Sequence, residues 1–360
     1  MKKPLPKYYD SAATTPVHED VLKAMLPYFS ELFGNASSNH IYGKQAKTAI
    51  DKARHQVANI INAEDNEVYF TSGATEAINW ALKGYLEANP EKGNHIITVK
   101  TEHKAVLNTC EYLETKGYEV TYLDVDKNGL ISLGQLKESI KPETSMISVM
   151  YVNNEIGVIQ DIQKIGAIAK ENGAAFFCDA TQAIGKVPVN VVKENIDMLC
   201  LSAHKFNGPK GIGALYIKNG IKVEPLIHGG GQEKGLRAGT SNTPLIVGLG
   251  EACNVANQSL SEKIEELLKK KQELTNYFEE NNIGLENFKY STKAPHILSI
   301  TLNNLEADEF LMMKNNEFIA STGSACNSSI IEDSHVLKAT KRKNIRNVVR
   351  ISISAHTTKE

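Results

Sequence analysis

Ala174-Ala-Phe-Phe-Cys-Asp-Ala-Thr-Gln182 and Met198-Leu-Cys-Leu-Ser-Ala-His-Lys205 each join an apolar run to a polar turn. Each reads as a buried strand whose carboxyl end carries chemistry: Asp179 and Gln182 in one, Ser202, His204 and Lys205 in the other. Further short apolar runs stand at Glu67–Phe70, His95–Val99, Glu119–Leu123, Ser145–Met150 and Ala214–Ile217. Helical periodicity falls between several of them, at Ala74–Ala88, Lys104–Thr115, Ser132–Ile140 and Ile162–Glu171. This alternation predicts an α/β fold, a mostly parallel sheet covered by helices on both faces. The stretch between Leu201 and Ala214 is too short for a crossover helix, so one strand is expected to run antiparallel. A long helical pattern then runs from about Pro244 to Glu280 and bridges to a smaller α+β unit from about Asn282. Residues 1–250, with the N-terminal segment, are expected to form the large unit and 251–360 the small one.

The composition bounds the function. The chain has 360 residues, 41% of them apolar, and a formal net charge of −2. About two domains and a sizeable core fit that length. The near-neutral balance argues against wrapping nucleic acid by bulk charge. No apolar run approaches the roughly 20 residues that span a bilayer. Met1–Asp10 has lysines with no apolar stretch behind them, which is not a secretory signal. The five cysteines are scattered, without a CxxC pair, which speaks against a disulfide framework and against a zinc site. A reducing, cytoplasmic setting is therefore expected, with no metal. Cys110, Cys178, Cys200 and Cys253 have apolar neighbours and read as core fillers. Cys326 is flanked by small polar residues, in a stretch read as a mobile, exposed loop.

In an open α/β sheet the loops beyond the carboxyl ends of the strands hold the ligand. Here they are rich in polar groups. Thr71-Ser-Gly-Ala-Thr75 lies between a strand and a helix, where backbone N–H groups and hydroxyls suit a phosphate. No GxxxxGK[ST] and no strand-borne GxGxxG is present, so a P-loop or dinucleotide site has little support. Asp179 is either a helix cap or the partner of a protonated heteroaromatic nitrogen. Lys205 is either a solvated loop lysine or an amine nucleophile made reactive by burial. A lysine, an acid and a phosphate cradle together are what pyridoxal phosphate binds to. His103 is placed to stack on, or exchange protons with, its ring. His228-Gly-Gly-Gly-Gln-Glu233 and Arg237-Ala-Gly-Thr240 form a second glycine-rich segment, read as a mobile loop. Lys338-Ala-Thr-Lys-Arg-Lys343, with Arg346 and Arg350, is a basic stretch of the kind that is usually a solvated face. Nucleic acid is its less favoured partner.

An ordered series of motifs adds to this. It runs Tyr9-Asp-Ser-Ala-Ala-Thr-Thr-Pro16, Phe33-Gly-Asn-Ala-Ser-Ser38, Thr71-Ser-Gly-Ala-Thr-Glu76, Thr101-Glu-His-Lys-Ala-Val106, Val152-Asn-Asn-Glu-Ile-Gly157, Asp179-Ala-Thr-Gln182, Ser202-Ala-His-Lys205, Gly208-Pro-Lys-Gly211, His228-Gly-Gly-Gly231, Arg237-Ala-Gly-Thr240 and Gly323-Ser-Ala-Cys326. By this series the chain resembles the pyridoxal-phosphate cysteine desulfurases, fold-type I enzymes of the NifS and IscS kind. The resemblance implies a large domain with a mostly parallel seven-stranded sheet and a smaller α+β domain carrying the cysteine loop. It implies that Lys205 bonds pyridoxal 5'-phosphate covalently, Asp179 pairs with the ring nitrogen, Gln182 contacts the ring hydroxyl and His103 stacks on the ring. Ala74, Thr75, Ser202 and His204 would hold the phosphate, and Thr240 would reach it from a neighbouring subunit of a homodimer. Asn154 and Arg350 would hold the substrate carboxylate, and Cys326 would take the sulfur of L-cysteine as a persulfide, leaving L-alanine. The partner implied is a sulfur-acceptor protein, for iron–sulfur clusters, tRNA thiolation or DNA sulfur modification. Two departures stand out: relatives usually continue past Glu360 into a terminal helix, and Lys338-Ala-Thr-Lys replaces an apolar, glycine-containing turn. The alternative is a selenocysteine lyase or another class V lyase or aminotransferase.

Overall fold

The computed structural model describes residues 5–322 and 333–354. The N-terminal segment gives a short strand β1 (Lys7–Tyr8), then helices α1 (Glu19–Met25), α2 (Pro27–Ser30) and α3 (Ile41–Ile61). Strands and helices then alternate: β2 (Val68–Thr71), α4 (Ala74–Ala88), β3 (His95–Val99), α5 (Lys104–Glu114), β4 (Glu119–Leu123), α6 (Leu133–Ser139), β5 (Thr144–Ser148), α7 (Ile162–Glu171), β6 (Ala175–Asp179), β7 (Met198–Ser202) and β8 (Gly213–Ile217). They build a seven-stranded sheet in the order β2-β8-β7-β6-β5-β3-β4. β8 is antiparallel to both β7 and β2, and every other pairing is parallel. The short Leu201–Ala214 connection therefore did predict the reversed strand.

Six of these strands are buried at every residue, as strands covered on both faces must be. The exception is β4, whose Glu119 is exposed at the sheet edge. One face packs on α3, α7 and α8 (Thr243–Gln258), through Val57, Ile61, Ile165 and Leu249. The other packs on α4 and α5, around the fully buried Trp80, whose Nε1–H donates to the Glu224 carbonyl at 2.9 Å. The run read from Glu67 begins one residue later. Glu67 instead accepts from the backbone N–H groups of Glu64 and Asn219 at 3.0 and 2.8 Å, pinning the strand's entrance.

The single long helix expected over Pro244–Glu280 is two helices, α8 and α9 (Leu260–Glu280), broken at Ser259. The Val255 carbonyl accepts from the Ser259 hydroxyl at 3.3 Å and from Lys263 Nζ at 2.9 Å. Side chains that compete for a helix carbonyl in this way bend or end the helix. β9 (Gly284–Glu286), β10 (Ile297–Leu302), α10 (Ala307–Lys314), β11 (Phe318–Ile319), α11 (His335–Ala339) and β12 (Val348–Ser352) follow. β10 pairs antiparallel with β9 and β12, and β1 pairs parallel with β11. Leu267, Phe278, Ile300, Phe310 and Val349 form a separate core, and Tyr9 joins it. So the N-terminal segment, assigned to the large unit from sequence, is shared. Residue 250 falls inside α8, where Ala252 and Cys253 still pack in the large core. Among the described residues, no helix is long and apolar enough to cross a membrane.

Candidate active site

The carboxyl ends of the parallel strands open into one cleft of about 1290 Å³. It brings together Lys205, Asp179, Gln182, His103, Ser202 and His204, with Ala74, Thr75, Asn154 and Arg350. These positions span residues 74 to 350, and only the sheet topology makes them neighbours.

One corner is an anion cradle. Gly73, at φ +154°, precedes the 15-residue α4 and caps it with no side chain. That backbone shape favours glycine. The exposed N–H groups and the helix dipole at Ala74 and Thr75 attract negative charge. Gly213 lets the turn come close, since a Cβ there would stand 2.8 Å from the Gly73 Cα. Across the cradle lies the Ser202 hydroxyl, 3.7 Å from where a Gly73 Cβ would be. His204 lines the same cleft, with Nδ1 at 3.1 Å from the Thr14 hydroxyl. Burial, aided by Lys205 and Lys210, pushes its pKa down to about 4, so it is a neutral imidazole at pH 7. Glu76 folds back to accept from the Ser72 N–H at 2.8 Å, and Arg237 clamps it from outside at 2.9 Å.

Asp179 ends β6 at 5% exposure, so its charge needs partners. Its Oδ1 accepts from the Thr181 N–H at 2.9 Å and from Cys200 Sγ at 3.4 Å. Lys205 Nζ donates to the Ala12 and Ala13 carbonyls at 2.8 and 2.9 Å. Burial, then the Arg350 charge, lowers its pKa to about 8, which raises the neutral, nucleophilic fraction of the amine. His103 caps α5, its Nδ1 accepting from the Ala105 N–H at 3.1 Å. A neutral ring therefore carries its proton on Nε2. Burial keeps that ring below the usual histidine range.

Arg350 on β12 donates from Nη1 to the Asn154 carbonyl at 3.0 Å and from Nη2 to Asp10 Oδ1 at 2.6 Å. Sequence reasoning missed Asp10. Its signal was a lone acid in Tyr9-Asp-Ser-Ala-Ala, a run of otherwise uncharged residues. Three more groups at the cleft went unremarked. Glu155 accepts from the Ser334 hydroxyl, and burial raises its pKa. His335 Nε2 bonds the Glu102 carbonyl at 2.9 Å. Glu102 itself is fully buried behind the cleft, with Oε1 on the Met150 N–H at 2.5 Å. Burial, then the neighbouring Asp179 charge, drives its pKa well above the usual carboxyl range.

Some expected positions fall elsewhere. Thr240 is exposed and is not among the residues that line this cleft. Cys326 lies outside the described residues, but Thr322 and Asp333, which flank residues 323–332, both line the cleft. The glycine-rich segment read as a mobile loop is tied down. Glu233, in left-handed backbone at φ +45°, makes a two-pronged pair with Arg54 at 2.8 Å and accepts from the Phe70 N–H at 3.1 Å. Cys110, Cys178, Cys200 and Cys253 are free and buried, as core fillers should be. Most of the basic stretch is a solvated face, with Lys338 and Arg346 exposed and sharing Asp333, while Arg342 is half-buried and stacks 4.1 Å over the Phe288 ring.

An uncapped helix start with a neutral imidazole beside it fits a phosphate. A buried carboxylate fits a protonated ring nitrogen, and a lysine of lowered pKa fits an aldehyde. The residues present therefore suit pyridoxal phosphate. The aminotransferase class-V family model matches residues 7–360. The cysteine desulfurase IscS of Methanosarcina thermophila is 49% identical over 98% of this chain and 88% of its own. Among solved structures, a NifS-like protein superposes with a TM-score of 0.90 at 35% identity, covering 99% of this chain and 96% of its own. SspA in complex with cysteine gives 0.88 at 40% identity, covering 97% and 99%. The cleft, the sheet order and these likenesses agree, and the chain belongs to the aminotransferase class-V family of pyridoxal-phosphate-dependent enzymes.

Proposed function

We propose that this chain is a cysteine desulfurase, which takes sulfur from L-cysteine and passes it on from Cys326. The observation that carries this is the convergence of Lys205, Asp179, His103 and Arg350 on one cleft, flanked by both described ends of the segment that contains Cys326. In the reaction the Cβ–S bond of free cysteine breaks and an S–S bond forms on Cys326. The Cβ gains a proton and is reduced to the methyl of alanine, while the transferred sulfur is oxidised to the sulfane level. No outside oxidant is needed.

Bound pyridoxal phosphate supplies the electron sink that lets the substrate Cα lose its proton. The chain's residues supply the rest. Lys205, with its neutral fraction raised by burial, would bond the cofactor covalently and would then be the base placed to move the Cα proton. Asp179 would hold a proton on the ring nitrogen. Gln182 would donate to the ring oxygen, and His103 would cover the ring with its proton on Nε2. Ala74, Thr75, Ser202 and His204 would hold the phosphate, His204 as a neutral donor. Arg350 offers its planar fork to the substrate carboxylate, with Asn154 beside it. We place the division between the two units at Ser259. A homodimer brings Thr240 to the neighbour's phosphate. Supporting this, Leu22, Leu26, Phe29, Phe33 and Ile41 expose apolar surface near the N terminus. The product persulfide calls for an acceptor protein in a reducing, cytoplasmic setting.

The test is alanine and sulfide release from L-cysteine with reductant, with and without added pyridoxal phosphate, for wild type and Cys326→Ala. Stoichiometric products that need the cofactor and vanish in Cys326→Ala are expected. Turnover that survives in Cys326→Ala points to a lyase or aminotransferase, and a protein that neither binds the cofactor nor turns over overturns the assignment.

A further inference from the structure

Behind the cleft, two buried basic side chains meet the amide of Gln182. Lys186 is 7% exposed and His296 is fully buried. Among the described residues Lys186 makes no ion pair. Its Nζ donates to Gln182 Oε1 at 3.2 Å. His296 Nε2 lies 3.2 Å from the same oxygen. On its other side the Gln182 amide nitrogen donates to the Ala12 carbonyl at 2.9 Å.

These partners fix which way the amide faces. The Ala12 carbonyl only accepts, so it demands the NH₂, and this turns the Gln182 oxygen toward Lys186, which donates to it. A flipped amide would face oxygen with oxygen on one side and nitrogen with nitrogen on the other. His296 must then present Nε2–H. Its Nδ1 is buried without a partner. One Gln182 N–H remains, and Gln182 lines the cleft. A buried lysine with no acid beside it is costly, and a methionine would fill the same space without that cost. Lys205, Lys271 and Arg350 are the other titratable groups that act on the pair, and none of them is an acid.

We infer that Lys186 and His296 are positioning residues that lock the Gln182 amide, carbonyl inward, so that an N–H faces the ring oxygen of the cofactor. The inference rests on the cofactor assignment above. The lock makes the site select a ring oxygen that is ionised and accepting. Losing it makes that oxygen more basic.

The test is Lys186→Met in the full-length protein, with folding checked by thermal melting. Cofactor affinity should fall about 3- to 10-fold. The pH midpoint of the bound cofactor's visible absorption band should rise by about half to one unit. In a Gln182→Ala background the same substitution should move the midpoint little, because Lys186 acts through that amide. Lys186→Gln, which keeps a donor without the charge, should bring the midpoint most of the way back to wild type and stands in if Lys186→Met does not fold. An unmoved midpoint, an equal shift with and without Gln182, or no recovery in Lys186→Gln would each overturn the inference. In the cofactor-free protein, hydrogen exchange of the Gln182 side-chain amide is expected to be slow in wild type and fast in Lys186→Met. Equal exchange in both overturns the lock. A wild type that binds no pyridoxal phosphate yet shows protected Gln182 would sink the cofactor assignment and leave the amide lock standing.

Discussion

Removing Asp10 should weaken the hold on the substrate carboxylate without touching the substrate. Asp10 and Arg350 side chains are 21% and 9% exposed, and Oδ1 to Nη2 is 2.6 Å. Arg350 has two fixed partners: Asp10 on Nη2 and the Asn154 carbonyl on Nη1. One N–H on each terminal nitrogen remains for a planar carboxylate. A hydrogen bond to a charged group contributes about 1.5–3 kcal/mol. This pair is mostly but not fully out of water, which puts Asp10→Ala near 2 kcal/mol, or about 30-fold in an equilibrium. If Asp10 aims Arg350, that loss appears in kcat/KM for L-cysteine, chiefly as a raised KM, with kcat within about threefold. Asp10→Asn keeps an acceptor and should fall between. Asp10 also raises the Lys205 pKa slightly, so its removal should move the acid limb of the pH profile downward, never upward. The assay is alanine release against cysteine concentration from pH 6.5 to 9.5. A KM that stays within twofold, or falls, would show that Asp10 competes with substrate for Arg350 rather than aiming it.

Three more outcomes follow from named contacts. The rate of pyridoxal phosphate uptake by cofactor-free protein should rise with pH through a midpoint of about 8, as Lys205 loses its proton. Arg350→Gln should move that midpoint up, since the Arg350 charge helps lower it, and stopped-flow absorbance reads both. Glu102 has a raised pKa in the folded chain, so the unfolded chain gives up its proton first and stability falls as pH rises above about 4.3. Glu102→Gln should flatten that fall in urea melts at pH 5 and 7.5, whereas Glu102→Ala, which strands the Met150 N–H, should cost about 2–3 kcal/mol at both. Arg54→Ala leaves Glu233, 7% exposed at its side chain, without its partner, at a cost of about 3 kcal/mol. Limited trypsin digestion should then cut at Lys234 or Arg237 first, and unchanged resistance there would show that the pair does not anchor the loop.

Legibility in the sequence followed the physics of each feature. β2, β3 and β5–β8 were visible because strands buried on both faces leave continuous apolar runs. Their boundaries slipped by a residue where Glu67 caps instead of pairing. Asp179, Lys205 and His103 were visible because polar residues at buried strand ends need a reason. The break at Ser259 was not visible, since serine is tolerated in helices and it is the claim of Ser259 and Lys263 on the Val255 carbonyl that marks the end of this one. Asp10, Glu102, Glu155 and His335 were missed because their partners are remote in sequence, Arg350 lying 340 residues from Asp10. Lys186 was hidden by its type: lysine in sequence reads as surface, and only burial shows otherwise.

The N-terminal segment explains why the site and the junction of the two cores coincide. β1 adds to β11, and Tyr9 packs in the smaller core. Within five residues the same chain reaches the sheet: Asp10 takes Arg350, Ala12 takes Gln182 and Lys205, Ala13 takes Lys205, and Thr14 meets His204. The Ala12 N–H closes the circle on the Ser352 hydroxyl of β12 at 2.9 Å. A shift between the two cores would therefore move the Lys205 acceptors and the Asp10 partner together. On the proposed roles, one strap of small residues links the carboxylate site at Arg350 to the Lys205 amine. Bulk at Ala12 or Ala13 should for that reason disturb cofactor bonding and carboxylate binding in the same variant, whereas changes at Asn154 should affect the carboxylate alone. Parallel measurement of cofactor affinity and KM in Ala13→Val and Asn154→Ala separates the two, and a purely local effect of Ala13→Val on either quantity would refute the coupling.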